Sequence, residues 1–593
     1  MPPTTLSPRR FTFLSAFFLI LFLLIFYQLV QLTLIRRATL QKIANSQHHL
    51  KIDVPPVRGQ ILDRNGKDLA VSLKVPSIYG ISRLIGRDRK ADVAERVSKI
   101  LGMDKKFVLD RLTRDKAFVW LKRKVSFEEA DRIRDLHEIG LGVRDEYRRF
   151  YPQGDLLAQT LGFVDIDNRG LEGVERVMND SLEGRAGLRY TKRDAMGREI
   201  KAFEIKAIPA IDGNRVYLTI DQYIQYLTEK SLKQAATQFR AQGAAAVVMD
   251  VHTGEIMAMA SYPSFNPNNY QSSNPETRRI RGITDMYEPG SIFKIIAASA
   301  ALNENKATTD TNFFCENGEY RYLGSRVLHD VHGYGDLTLA EVIIKSSNIG
   351  IVKVAALLTP EVYHRYIKGF GFGDPTGIDL PGEADGFTNP PSRWSKTSAY
   401  NIPMGHEVMV TLIQMARAMA VIANGGKSIK PYVIERVEDQ AGVVLKEFKP
   451  EISETVLRPE VAAQMREILT LAVKEGTGTR AIIPGIDVGG KTGTAQKVLP
   501  NGRGYSHSNF ISSFIGFGPS EDPKFVMAVM VDDPRGSYYG GTVAAPVFRE
   551  VMEPALLSTG YVPPTATVFD PAATAAAASP KELPEPAPVA LTA

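Results

Sequence analysis

The sequence has a single cysteine, Cys315. No intrachain disulfide can form, and no cysteine cluster can hold zinc. One cysteine fits either side of a membrane and leaves the redox compartment open. Charge of one sign is also scarce, with a formal net charge of +6 over 593 residues. No basic helix interleaved with aromatics occurs, so the pattern of a nucleic-acid binder is missing. There is no internal repeat. Only one apolar run is long enough to cross a membrane, so the bulk of the chain lies on one side of it.

That run is "FTFLSAFFLILFLLIFYQLV", Phe11 to Val30. At 1.5 Å per residue, about twenty apolar residues span a hydrocarbon core of roughly 30 Å. The alternative is a cleaved signal peptide. The run is too long for an h-region, and no A-x-A-like site follows it. An uncleaved anchor is therefore expected. Arg9 and Arg10 precede it and Arg36 and Arg37 follow it, so charge alone does not orient it.

The rest has an ordinary folded balance, 44% hydrophobic and 23% charged, and is too long for one compact domain. Ala38 to His49 reads as a polar helical stretch. "PPVRGQILDRNGKDLA", from Pro55, begins a region of strands and turns, with a hairpin predicted at Asp63–Gly66. "DVAERVSKILGM" and "SFEEADRIRDLHEIG" read as amphipathic helices. A second unit starts near Asn214. "AAAVVMDVHTGEIMAMASY" predicts two buried strands around a turn, and helical runs dominate from about Ser291 to Ala423. Strand patterns return at "VGGKTGTAQKV", "NFISSFIGFG" and "KFVMAVMVDD", and a helix at about Ala544–Leu557 closes the unit. A sheet with a helical insert is an α+β arrangement. Beyond Gly560 the chain is rich in Ala and Pro, a composition that predicts disorder.

Within this frame one lysine is out of place. "DMYEPGSIFK", Asp285 to Lys294, leads into the apolar "IIAASAAL". Pro289 and Gly290 interrupt the preceding structure, so Ser291 falls in the first turn of a helix. Residues i and i+3 share a helix face, so Ser291 and Lys294 are expected to meet. Apolar neighbours desolvate the lysine and lower its pKa. A neutral lysine beside a hydroxyl is a base for a nucleophile. S-x-x-K alone is a weak signal, but it occurs once here. Two further motifs add to it. "IIKSSNIG" holds Ser346-Ser347-Asn348, after a capping pattern at Thr338–Glu341. Other S-x-N stretches, at Ser264 and Ser272, read as loop polars. "GGKTGTAQ" holds the one K-T-G, Lys491-Thr492-Gly493, followed by Thr494. A strand there presents Lys491 and Gly493 to one face and Thr492 and Thr494 to the other. Gly493 leaves room for a substrate backbone.

S-x-x-K, S-x-N and K-T-G, in this order, resemble the penicillin-recognising serine acyltransferases. "RGQILDRNG", "RRFYPQGDLLAQTLGFV" and "GLEGVERVMNDSLEGRAG" resemble the pedestal of class B penicillin-binding proteins. "DMYEPGSIFK", "KSSNIG" and "VDDPRGSYYGGTVAAPVF" look like the FtsI-type septal transpeptidases. "NIPMGHEVMVT", Asn401 to Thr411, departs from the Gly- and aromatic-rich turn expected there.

The resemblance implies a penicillin-binding, β-lactamase-like transpeptidase domain, an antiparallel sheet with a helical subdomain. That domain would stand on a mixed α/β pedestal behind one N-terminal transmembrane helix. The expected division is a cytoplasmic tail (1–10), the anchor (11–34), a class B dimerisation-like pedestal (35–213), the transpeptidase domain (214–560) and a disordered tail (561–593). The implied reaction cross-links peptidoglycan stem peptides ending in D-Ala-D-Ala. Ser291 is the expected nucleophile and Lys294 its base. Ser346 relays a proton and Asn348 fixes donor and lysine. Lys491, Thr492, Gly493 and Thr494 bind the donor, and the backbone N–H groups of Ser291 and Thr494 form the oxyanion hole. The "SYYGG" loop, Ser537–Gly541, is either a cleft wall or a plain turn. No metal or cofactor is needed; His329, His332 and Cys315 match no zinc spacing. Expected partners are stem peptides, β-lactams, the membrane, a polytopic glycan-polymerising protein and other division proteins, with no nucleic acid. The catalytic domain is expected on the cell-wall side of the cytoplasmic membrane. Elongation- or sporulation-type transpeptidase, β-lactamase or D,D-carboxypeptidase, and non-catalytic scaffold or penicillin sensor stay open as alternatives.

Overall fold

The computed structural model describes residues 8–37, 40, 49–114, 116, 118–193, 199–324, 326–499 and 504–563. Most of the expected helical stretch after the anchor, and the Ala/Pro-rich tail from residue 564 on, lie outside the described residues. The apolar run forms the helix Pro8–Val30, continued by a π-helical turn, Gln31–Ile35. Among the described residues it is the one helix long and apolar enough to cross a membrane.

The chain divides into two compact units that interleave in sequence. One comprises Met1–Gln60, Val71–Phe150 and Asp180–Asn214; the other comprises Ile61–Ala70, Tyr151–Asn179 and Arg215–Ala593. In the first, residues 71–80 pair antiparallel with Leu141–Phe150, and residues 78–80 pair with Val119–Lys122. The helices Lys90–Leu101, Lys105–Thr113 and Phe127–Asp135 cover them. Ile78, Val93, Val97, Val108, Leu112 and Ile133 are buried together as its core. "SFEEADRIRD" starts its helix on a full capping box, Ser126 with Glu129; reciprocal capping satisfies two otherwise orphan donors.

The second unit is built on a sheet of strands β1 (Gly243–Asp250), β2 (Ile256–Tyr262), β3 (Gly489–Val498), β4 (Tyr505–Gly518) and β5 (Phe525–Asp532). Their order is β2-β1-β5-β4-β3, all antiparallel. Their apolar runs do not alternate with polar residues because both faces are covered. Alternate residues of β5, Phe525, Met527, Val529 and Val531, join Phe514 and Phe548 in one core. The helices Gln222–Gln238 and Ala545–Ser558 pack on that face. The opposite face carries the helix Leu412–Ala423. The expected hairpin at 63–66 belongs to this unit, where Asp63 Oδ1 accepts from the N–H groups of Asn65 and Lys67, each at 2.8 Å.

The order leaves β3, the K-T-G strand, at the sheet edge. An edge strand keeps one row of backbone N–H and C=O groups unpaired, so it can accept an extended peptide as an added strand.

Phe514 is fully buried, its ring 4.9 Å from that of Phe548. Phe514→Ala is expected to lower stability by about 3–5 kcal/mol. Val443→Ala, at an exposed position, is expected to stay within about 0.5 kcal/mol. Denaturant midpoints of the detergent-solubilised chain check both.

Candidate active site

Ser291 lies in a tight 3-10 turn, Gly290–Phe293, that continues directly into the helix Lys294–Asn303. Gly290 has φ +58°, a conformation that glycine adopts without a Cβ penalty. The turn therefore replaces the first α-helical turn expected from the sequence. Lys294, at the start of the apolar helix, has no exposed surface.

The S-x-N segment sits between two short helices, Leu339–Ile344 and Asn348–Ala355. Ser346 joins them with φ +61°, a left-handed conformation that costs on the order of 1–3 kcal/mol in a residue with a side chain. Its carbonyl oxygen accepts from Lys294 Nζ at 2.6 Å. Ser347 caps the second helix by accepting from Gly350 N at 2.8 Å. Asp330 fastens the same turn. Its Oδ1 accepts from Asn348 N and, at 3.1 Å, from Ile349 N; its Oδ2 accepts from Ser347 Oγ at 2.6 Å. A carboxylate on the first N–H groups of a helix satisfies orphan donors and complements the helix dipole.

Lys294 Nζ also donates to Asn348 Oδ1 at 2.7 Å and to Ser346 Oγ at 3.3 Å. Asn348 Nδ2 donates to His329 O at 2.9 Å, which fixes which way the amide points. From the other side, Lys491 Nζ donates to Ser346 Oγ at 2.9 Å. Lys491 is 1% exposed. Two buried amines thus converge on one hydroxyl. Burial, and then the neighbouring Lys491, hold Lys294 well below the ordinary lysine range, with Asp330 opposing. Burial brings Lys491 down to about 7. Two ammonium groups around one hydroxyl in a low-dielectric site repel, so the pair holds fewer protons than two free lysines.

Ser291, Ser346, Asn348, Thr492 and Thr494 line one cleft of about 820 Å³. Lys294 and Lys491 lie behind its wall. Thr492 Oγ1 is 2.5 Å from Thr477 Oγ1, and Thr494 Oγ1 accepts from Gly540 N at 3.1 Å. Tyr539, Gly540 and Gly541 of the "SYYGG" segment wall the cleft. Gly493 is not among the lining residues. One expected contact is not made. Ser291 Oγ has no hydrogen-bond partner among the described residues, and Lys294 is committed to Ser346 and Asn348. The polar acceptors of the S-x-N turn outcompete the serine for the buried amine. The other S-x-N stretches lie elsewhere, where Asn266 and Asn274 cap short 3-10 turns.

Nothing in the sequence around Asp330, "LHDVHG", marks it for this place. The one available signal was an acidic residue 16 positions ahead of the motif, which no periodicity links to it. Asp330→Asn is expected to slow acylation by penicillin about tenfold or more, since hydrogen bonds to charged groups contribute about 1.5–3 kcal/mol. Rapid-quench labelling measures it.

Lysines with lowered folded pKa make stability pH-dependent. The unfolded chain binds the proton of a Lys491-type group up to about 10.4, whereas the folded chain releases it near 7. Their stabilisation is complete above the unfolded value and is lost as pH falls toward 7. Between pH 7 and 9, wild-type stability is expected to rise more than that of Lys491→Met. Equal rises in denaturant titrations would contradict the lowered values.

Residues 244–553 match the penicillin-binding protein transpeptidase domain, and residues 53–218 match the penicillin-binding protein dimerisation domain. Stage V sporulation protein D of Bacillus subtilis is 35% identical, over 94% of this chain and 86% of that protein. Peptidoglycan D,D-transpeptidase FtsI of Escherichia coli is 34% identical, over 86% of this chain and 85% of that protein. Among solved structures, penicillin-binding protein 3 of Mycobacterium tuberculosis complexed with aztreonam is similar, with a TM-score of 0.67 and 26% identity. That likeness covers 86% of this chain and 99% of the other. With these matches over most of its length, the chain belongs to the class B penicillin-binding proteins and is a peptidoglycan D,D-transpeptidase.

Proposed function

We propose that the cleft beside β3 carries out two successive acyl transfers with Ser291 as nucleophile. A donor stem peptide lies along the free edge of β3, its terminal carboxylate held by the charge of Lys491 and the hydroxyls of Thr492 and Thr494. Lys294 takes the proton of Ser291. Oγ attacks the penultimate carbonyl, and backbone N–H groups of Ser291 and Thr494 hold the oxyanion; one such donor is worth on the order of 3 kcal/mol in the barrier. Ser346 passes a proton to the departing D-Ala. An amine from a second stem then takes the acyl group. β-Lactams enter as donor mimics and stay on Ser291; the aztreonam complex of the similar solved structure supports this part.

The observation that carries the proposal is the Ser346 hydroxyl with buried Lys294 at 3.3 Å and buried Lys491 at 2.9 Å, lining the same cleft as Ser291. A hydroxyl between two amines of lowered pKa can move a proton between them. In this proposal residues 35–213 serve as pedestal and 214–560 as the transpeptidase domain. The apolar helix anchors the chain with both on the cell-wall side, the side that holds the substrate. The anchor and pedestal imply membrane and protein partners at the division site.

Septal synthesis is the proposed setting, supported by the likeness to FtsI. The likeness to Stage V sporulation protein D, over a larger share of the chain, favours a spore-wall role as the second reading. Depletion in growing cells separates them. Filaments support the septal role, and normal growth with defective spores supports the other.

Intact mass spectrometry after penicillin, followed over hours, tests the chemistry. A long-lived adduct absent in Ser291→Ala is expected; rapid drug turnover would favour a β-lactamase, and no adduct on folded protein a scaffold. Lys294→Ala is expected to fold and to acylate about a hundredfold more slowly or worse. Wild-type-like acylation in that variant would remove the lysine from its role.

A further inference from the structure

The segment Asn401–Thr411 runs beside the Ser291 turn. Gly290 N donates to Gly405 O at 3.1 Å, and Tyr287 and Val410 exchange two backbone hydrogen bonds of 2.9 Å. Gly405 has φ +85°, and a Cβ there would lie 2.2 Å from Gly290 O. This approach, open only to glycine, places the next residue, His406, on the wall of the cleft that holds Ser291.

Glu288, three residues before Ser291, is 9% exposed. Its Oε2 is 2.8 Å from His406 Nδ1; its Oε1 accepts from Glu407 N at 3.0 Å and from Tyr505 OH at 3.2 Å. The Tyr505 ring stands edge-on to the imidazole, with centroids 5.2 Å apart. The Glu407 carboxylate turns away, accepting from Ser398 Oγ and Asn401 Nδ2. Among the described residues, Glu288 and Tyr505 are the titratable groups in contact with this ring, with Glu407 next to it in the chain. A carboxylate at Nδ1 keeps the proton of a neutral imidazole on that nitrogen and leaves the lone pair on Nε2. Nε2 has no hydrogen-bond partner among the described residues.

The cleft needs such a group. Lys294 and Ser346 form one proton-handling pair, which the function proposed above assigns to Ser291. The second half-reaction brings in an amine, which near neutral pH arrives as an ammonium ion and cannot attack until it loses a proton. Resting on the function proposed above, we infer that His406, held by Glu288, takes that proton and is a catalytic residue of the second acyl transfer. The ammonium N–H bond breaks and its proton goes to Nε2. The freed lone pair forms the C–N bond to the acyl carbonyl, and the C–O bond to Ser291 breaks. The second proton of the amine passes to Ser291 Oγ through Lys294 and Ser346. The imidazolium, paired with Glu288, returns its proton to solvent.

The test uses the full chain in detergent, with an acyl-D-alanyl thioester as donor. Two acceptors are compared at pH 7.5, an ε-amine with pKa about 10.4 and a peptide α-amine with pKa about 8. His406→Gln keeps size and polarity but cannot take a proton. It is expected to slow transfer to the ε-amine by about a hundredfold and to the α-amine by about tenfold or less. Any loss in penicillin acylation is expected to be at least about ten times smaller than the ε-amine loss. Glu288→Gln is expected to act in the same direction, more weakly. Equal losses for both amines, or a matching loss in penicillin acylation, would show that His406 only shapes the Ser291 turn and would overturn the inference. Unchanged transfer would overturn it too. Failure of the wild-type protein to form any adduct would instead overturn the underlying function, and the inference with it.

Discussion

Everything at this site depends on the hydroxyl of Ser346 standing between two lysines with almost no exposure. A buried ammonium is costly unless its donors are met. Lys294 meets that requirement with one carbonyl, one amide and one hydroxyl. Lys491 is less well supplied: it shares the same hydroxyl and, among the described residues, has only its neighbour's carbonyl at 3.3 Å besides. The shortage of acceptors and the mutual repulsion push protons off the pair. A site that must take a proton from serine near neutral pH needs that poise.

The fold supplies the constraint that keeps the pair together. The antiparallel sheet, covered on both faces, holds β3 rigid at its edge and brings Lys491 to one side of Ser346. The helix that begins at Lys294 brings the other amine. Between them the chain at Ser346 turns left-handed, and Asp330 and Ser347 hold that turn by occupying the first N–H groups of the following helix. Local strain at Ser346 is thus offset by hydrogen bonds one to four residues along the chain. The strand that presents Lys491 lies at the sheet edge, the edge along which the proposed donor peptide lies.

Much of this was legible in the sequence. Unbroken apolar runs such as "FVMAVMVD" mark strands covered on both sides, and K-T-G marks the strand that faces the chemistry. A lysine in "FKIIAASAAL" signals a burial cost that function has to justify. Other features were not legible, for physical reasons. The 3-10 turn at Ser291 follows from the positive φ of Gly290, which no periodicity encodes. The bond of Lys294 to Ser346 rather than Ser291 depends on which acceptors the tertiary fold brings within reach. Asp330, Glu288 and His406 sit in loops, where spacing carries no register, and only the folded chain places them beside their partners. Likewise, the interleaving of the two units cannot be read from a linear division of the chain.

The central claim is that the two buried lysines share fewer than two protons near neutral pH. Lysine side chains labelled with ¹³C at Cε, titrated by NMR in the folded protein and assigned with Lys294→Ala and Lys491→Met, measure this directly. Two resonances are expected to titrate well below the ordinary lysine range, one of them near 7, and as a coupled pair. If both instead titrate independently near the ordinary value of about 10.4, both amines are charged at rest, and proton sharing through Ser346 is contradicted.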